Sequence, residues 1–243
     1  MKTKNKGENA GRAVKILIVC AVAVFSAASQ LQAAENKDFY SDGQILAGEE
    51  WEQVGIYDTP PNHTTVDMLG GLVSSLGSFN ASTLNIYGGQ VNGNWVGDYS
   101  TVNVFGGSLR FVGGHGNATI NVYDGTIGNG IAFEDYVVVN IKGGTIGSVG
   151  ASNYSIVNLS GGFLSDSLYL DHMSIANIYG HNLAKTNYGG LYNVGQVSGV
   201  WETGTSFTID LSGSETYSHI NLIPEPMTFL LIGFGVFLAR KRK

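Results

Sequence analysis

Cysteine is almost missing from this chain of 243 residues, which has one, Cys20. It lies inside an N-terminal apolar run and follows Val19, a context that does not suit lipoprotein acylation. If that run is a leader, the mature chain has no thiol, and neither disulfides nor a thiolate metal site stabilises it. Basic side chains are scarce too. Residues 35 to 223 carry 4 basic against 17 acidic residues, a net charge of −13. Binding phosphate requires a basic footprint, so the count argues against nucleic acid as a partner. The five histidines, at 63, 115, 172, 181 and 219, have no metal-ligand spacing, and no serine or cysteine nucleophile motif is present. The carboxylates are scattered, without an EF-hand loop or a glycine-aspartate nonapeptide, and read as solvating charge. No catalytic residue, metal or cofactor is expected.

What the chain does have is glycine and repetition. The phrases TTVDMLGG, STLNIYGG, STVNVFGG, ATINVYDG, VVVNIKGG, SIVNLSGG and SIANIYGH follow one another between Thr65 and Leu183. Asp67 and Asn85, Asn103, Asn121, Asn140, Asn158 and Asn177 mark the same place in each, at steps of 18, 18, 18, 19, 18 and 19 residues. Repeats this short cannot each bury a core, so they must stack as a solenoid.

Each repeat has one grammar. Apolar residues flank the Asn, as in Leu84/Ile86, Val102/Val104 and Ile120/Val122, so period-two alternation puts them on one strand face and the Asn on the other. Gly-Gly follows three and four residues on, softened to Asp124-Gly125 and Gly180-His181, and supplies a sharp bend. Six residues after the Asn position an aliphatic residue returns: Val73, Val91, Leu109, Ile127, Ile146, Leu164 and Leu183. It is expected to point inward past the corner.

This pattern predicts an all-β, single-stranded parallel β-solenoid of about seven coils, each pairing with the next at about 4.8 Å. The competing architecture, an antiparallel sandwich, does not repeat one phrase in register. Handedness is not written in the residues; right-handed is the expectation for β-helices.

The ends differ from the middle. Residues 1 to 34 read as a signal peptide: Lys2, Lys4, Lys6, Arg12 and Lys15, then the apolar run Ile16 to Ala28, then Ala33-Ala34. Residues 35 to 64 read as an N-terminal cap with the trace of a degenerate coil at Val54 and Ile56, charged at Glu49, Glu50 and Glu52 against edge pairing. From 184 to 222 the period fails, and apolar alternation predicts two or three closing strands with Trp201, Phe207 and Tyr217 as bulk.

Residues 223 to 243 carry the most specific signal. Pro224-Glu225-Pro226 precedes the apolar run Met227 to Ala239, and Arg240, Lys241, Arg242 and Lys243 end the chain. In these three parts and their order the segment resembles the PEP-CTERM sorting signal of Gram-negative envelope and extracellular-matrix proteins. The resemblance implies export, a transient hold in the membrane through a C-terminal transmembrane helix, and processing by an exosortase in bacteria that often make exopolysaccharide. Thirteen apolar residues make a helix of about 20 Å, short of the roughly 30 Å hydrocarbon core, which suits a temporary anchor.

Two residues after the Asn stand Tyr87, Phe105 and Tyr123. They are expected to form an outward aromatic column beside Asn85, Asn103 and Asn121, and two uses are open to it. The column either stacks on itself to stiffen the sheet while the amides form ladders, or presents a platform for exopolysaccharide sugars. The reading is therefore a secreted, non-enzymatic structural or adhesive protein. A glycan-binding module is the alternative, and a polysaccharide lyase or hydrolase comes third.

Overall fold

The computed structural model describes residues 35–190 and 192–225. The proposed signal peptide, Pro226, the apolar run and Arg240 to Lys243 lie outside the described residues. Among the described residues no helix is long and apolar enough to cross a membrane.

The chain is all-β and winds into a β-solenoid of about eight turns. Each regular coil has two strands and two corners. The first strand is short: Thr65–Met68, Thr83–Ile86, Thr101–Val104, Thr119–Val122, Val138–Ile141 and Ile156–Leu159. Its second and fourth residues are buried and its first and third half-exposed, as period-two alternation requires. These strands pair in parallel with Asn on Asn, as at Asn85↔Asn103 and Asn103↔Asn121.

The first corner uses the second glycine of each phrase. Gly71, Gly89, Gly107, Gly125, Gly144 and Gly162 all have φ between 80° and 98°. A Cβ on Gly107 would also lie 3.0 Å from the carbonyl oxygen of Gly89 in the coil before, so backbone angle and neighbour both demand glycine.

After that corner runs the long strand: Leu72–Phe79, Gln90–Val96, Ser108–Gly114, Thr126–Phe133 and Thr145–Ala151. Val73, Val91, Leu109, Ile127, Ile146 and Leu164 are all buried at its start. A second inward row, Leu76, Asn94, Val112, Ile131, Val149 and Leu168, follows, and a third, Val96, Phe133, Ala151 and Leu170 among its members, lies two residues further on. The second corner turns on left-handed residues other than glycine, Asn80, Asp98, Asp135, Asn153 and His172, with Gly116 in the same row. Asn and Asp tolerate this region because their short polar side chains bond locally.

The 19-residue coils absorb their extra residue in the long strand. Gly128 and Asn129 stand opposite the single Arg110, between the pairs Ile127↔Leu109 and Gly130↔Phe111. In the other such coil the long strand breaks into Phe163–Leu164 and Ser167–Leu170. The short-strand face therefore stays in register throughout.

The coil count exceeds the expected seven because residues 43 to 64 form a further coil. Gly43–Ile45 pairs in parallel with Thr65–Met68, and Glu50–Tyr57 with Leu72–Phe79. Glu35–Phe39 pairs with Glu50–Tyr57 at the end of the stack. Phe39 and Trp51 pack on the core there, and Lys37 lies 4.8 and 4.7 Å from their ring centres.

At the other end Leu183 departs from expectation. It is only partly buried, on the strand Ile175–Asn187, because His181 replaces the corner glycine and the strand runs on instead of turning. Its second half pairs antiparallel with Asn193–Val200, which pairs antiparallel with Ser206–Ser212. Ser206–Ser212 joins the long-strand sheet beside Ser167–Leu170, and Ile220–Pro224 joins the short-strand sheet beside Ile175–Asn187. Trp201 is 3% exposed and its indole N–H donates to Gly162 O at 3.1 Å, which ties this closure to the last regular corner.

Candidate interaction faces

Two faces of the solenoid carry organised side chains. On the short-strand face every repeat Asn donates from Nδ2 to Oδ1 of the preceding coil. The distances are 2.8 Å for Asn103→Asn85, Asn121→Asn103, Asn140→Asn121 and Asn158→Asn140, and 2.9 Å for Asn177→Asn158. Asp67 accepts from Asn85 at 2.9 Å at one end, and Asn221 donates to Asn177 at 3.1 Å at the other. An amide offers two N–H donors and two acceptor lone pairs. The ladder occupies one of each per interior Asn, leaving the second pair outward.

Beside this ladder the aromatic column stands where the repeat puts it. Tyr87 and Phe105 stack at 5.0 Å with 9° between planes, and Phe105 and Tyr123 at 4.8 Å with 7°. The Lys142 ammonium lies 5.0 Å from the Tyr123 ring centre and continues the column as a cation over a π face. Tyr87 is 49% exposed and Phe105 and Tyr123 each 38%, although the two faces of Phe105 are covered by its neighbours. What this column offers solvent is chiefly ring edges.

The long-strand face was not legible as a site in the repeat phrase. Its outward row, one residue before the last inward position, reads Gly55, Gly77, Trp95, Gly113, Ala132, Gly150, Tyr169 and Ser212. Small residues leave room for rings to lie on the sheet. A Cβ on Gly113 would meet the Trp95 ring at 2.6 Å, and one on Gly55 would meet the Tyr57 ring at 2.6 Å. Phe79 covers Gly77 and Tyr169 covers Gly213 in the same way. Tyr40, Tyr57 and Phe79 stack in succession at 5.4 and 5.5 Å. Trp95 meets Phe111 edge-on at 5.6 Å.

The segment that resembles a sorting motif begins inside the folded body. Pro224 ends the last strand, paired with Gly180, and the Glu225 N–H donates to Gly180 O at 3.0 Å. Glu134 is exposed and Asp135 takes the left-handed corner conformation, its carboxylate accepting from Gly116 N–H at 3.0 Å, so this acidic pair builds a turn. Among the described residues no three histidine, aspartate or glutamate side chains converge on one point.

No protein-family model, curated protein or solved structure matches the chain.

Proposed function

We propose that this chain is an exported, non-enzymatic structural and adhesive protein of the cell envelope or extracellular polysaccharide matrix, delivered through an exosortase-type sorting signal. The observation that carries the structural half is the uninterrupted side-chain ladder from Asp67 to Asn221, backed by the Tyr87, Phe105 and Tyr123 stack. The most regular polar and aromatic groups on this surface join one coil to the next. That is an investment in stiffness rather than in a reaction centre.

Delivery rests on the resemblance of residues 224 to 243 to the PEP-CTERM signal. Pro224 and Glu225 leave the last strand with no linker, so the folded domain sits against the membrane surface until the motif is cut. The basic residues Arg240 to Lys243 stay on the cytoplasmic side by the positive-inside rule.

Changing Pro224, Glu225 and Pro226 together to alanine is expected to leave the protein held in the membrane fraction. Mass spectrometry of the released wild type is expected to find Arg240 to Lys243 missing; an intact C-terminus there overturns the sorting reading. For the structural half, deleting the gene should leave the amount of exopolysaccharide unchanged and weaken the cohesion of the matrix. Hydrolysis or elimination of a glycan by the purified domain would overturn the non-enzymatic assignment.

A further inference from the structure

We propose that the trough on the long-strand face between Trp95 and Tyr169 binds a neutral glycan chain, with Trp95 as its main stacking platform. This rests on the adhesive half of the function proposed above and gives it a site.

The trough arises from a break in an otherwise aromatic cover. Going along the row, rings lie over the glycines at Gly55, Gly77 and Gly113, but among the described residues none lies over Gly150, and Ala132 beside it is exposed. A Cβ on Gly150 would find nothing nearer than Ile131 O at 4.0 Å, so the floor there is open. The result is a cavity of about 380 Å³ with Trp95 and Phe111 at one end and Tyr169 at the other. Parallel register places Trp95, Gly113, Ala132, Gly150 and Tyr169 on successive coils. Trp95 and Tyr169 are thus four steps apart, about 19 Å at 4.8 Å per coil.

One flank is polar. His115, Glu134 and Ser152 stand in the row two residues past the floor and line the same cavity. They supply hydrogen-bond donors and acceptors beside an apolar floor, which is the mixture a pyranose needs: C–H faces toward rings and hydroxyls toward side chains. Trp95 is 50% exposed and Tyr169 42%, so both retain surface for a ligand. The Tyr169 hydroxyl is held by Asp171 Oδ2 at 3.2 Å, which fixes the ring's position.

Two other occupants fit worse. A peptide added as a strand needs unpaired backbone, and the floor's strands are already paired on both sides. An acidic polysaccharide would meet Glu134 and Asp171 at the trough and a net charge of −13 over residues 35 to 223. Like charge opposes that encounter. A neutral chain carries no such penalty.

The test is titration of the purified domain with cellohexaose, chitohexaose and, as the acidic control, an oligogalacturonate, all in the presence of chelator. Tryptophan fluorescence is a direct readout, because Trp201 is buried and Trp51 packs on the core while Trp95 faces solvent. A neutral probe is expected to shift that emission with saturation. Trp95→Ala is expected to weaken binding at least tenfold by calorimetry, with circular dichroism unchanged. Ala132→Phe, which keeps both end rings and fills the floor, is expected to do the same. Tyr87→Ser on the opposite face should bind as wild type does. Failure of both neutral probes at millimolar concentration, equal affinity for the acidic probe, or wild-type binding by Trp95→Ala and Ala132→Phe would each overturn the proposal. Matrix cohesion in the gene deletion is read separately, so a lost glycan site and a lost structural role are distinguishable.

Discussion

Asn85 donates its Nδ2 hydrogen to the Asp67 carboxylate at 2.9 Å, and this one contact sets the direction of the whole ladder. A carboxylate accepts and cannot donate, so Asn85 must turn its amide nitrogen toward Asp67 and its oxygen toward Asn103. Each later Asn is then oriented by the one before it. A repeat that begins on Asp and continues on Asn therefore has a built-in polarity, with every amide pointing back toward the N-terminal end.

Breaking the ladder at its middle tests its worth. Asn121→Ala removes the bond to Asn103 and the bond from Asn140, both 2.8 Å and partly buried. At about 0.5–1.5 kcal/mol net for each bond, the expected loss is about 1–3 kcal/mol. Urea denaturation with an unchanged slope would measure it. Asn121→Asp should cost at least as much, since it keeps the acceptor for Asn140 but sets a charged, partly buried carboxylate oxygen against Asn103 Oδ1.

The core contains one residue that works against it. Asn94 is fully buried between Leu76 and Val112 in the second inward row, and among the described residues neither its Nδ2 nor its Oδ1 has a hydrogen-bond partner. Leaving a polar group buried and unpaired costs roughly 1–3 kcal/mol. Asn94→Leu, matching the residue in the coil before, is expected to raise stability by about that amount less any packing strain. A rise in thermal midpoint without change in circular dichroism is the outcome to look for.

Asn94 also marks the limit of what the repeat discloses. The short strand recurs in every phrase and the Gly-Gly corner in five of the seven, so Val102, Val104 and Leu109 were legible as core from alternation and spacing alone. Past Leu109 the signal weakens. Asn94 interrupts the second inward row, and the extra residue at Gly128 and Asn129 shifts its spacing by one. The first coil showed in the sequence only as a trace at Val54 and Ile56, for a similar reason: Gln44 occupies the Asn place, and the insertion around Pro60 and Pro61 lengthens the step to Asp67. Leu183 kept its spacing but is only partly buried against the core, because spacing does not register that His181 has taken the place of the corner glycine. Trp95 and Tyr169 share no phrase; only the parallel register across four coils brings them onto one trough.

The N-terminal end carries a pH-dependent contact. Glu49 is held below the usual carboxylate value of 4.5, chiefly by the hydrogen bond from Leu46 N–H; burial opposes this, and the Trp51 indole and Lys37 add smaller lowering effects. A carboxylate with a lowered folded-state pKa contributes stability that is present above its unfolded value and is lost as pH falls through the folded one. Glu49→Gln should therefore lower stability near neutrality, and the variant and the wild type should converge as pH falls below 4.5, which flattens the acid limb of the stability curve. The contact is partly exposed, so the difference should also shrink in high salt.

The stacked column on the short-strand face separates stiffening from recognition. Converting Tyr87, Phe105 and Tyr123 together to Ser removes two stacked pairs, at 5.0 and 4.8 Å, and leaves the inward residues Ile86, Val104 and Val122 untouched. At about 0.5–1.5 kcal/mol for each aromatic pair, the expected loss is about 1–3 kcal/mol with the β-rich circular dichroism retained. Because both faces of Phe105 are already covered, retention on the producer's own exopolysaccharide should stay at the wild-type level in this variant. If retention instead falls sharply while the fold survives, the column itself contacts sugar, and its ring edges and outward amides would be the recognition surface. The same column then both stiffens the coils and binds, and Lys142, which lies over Tyr123, becomes the next residue to replace.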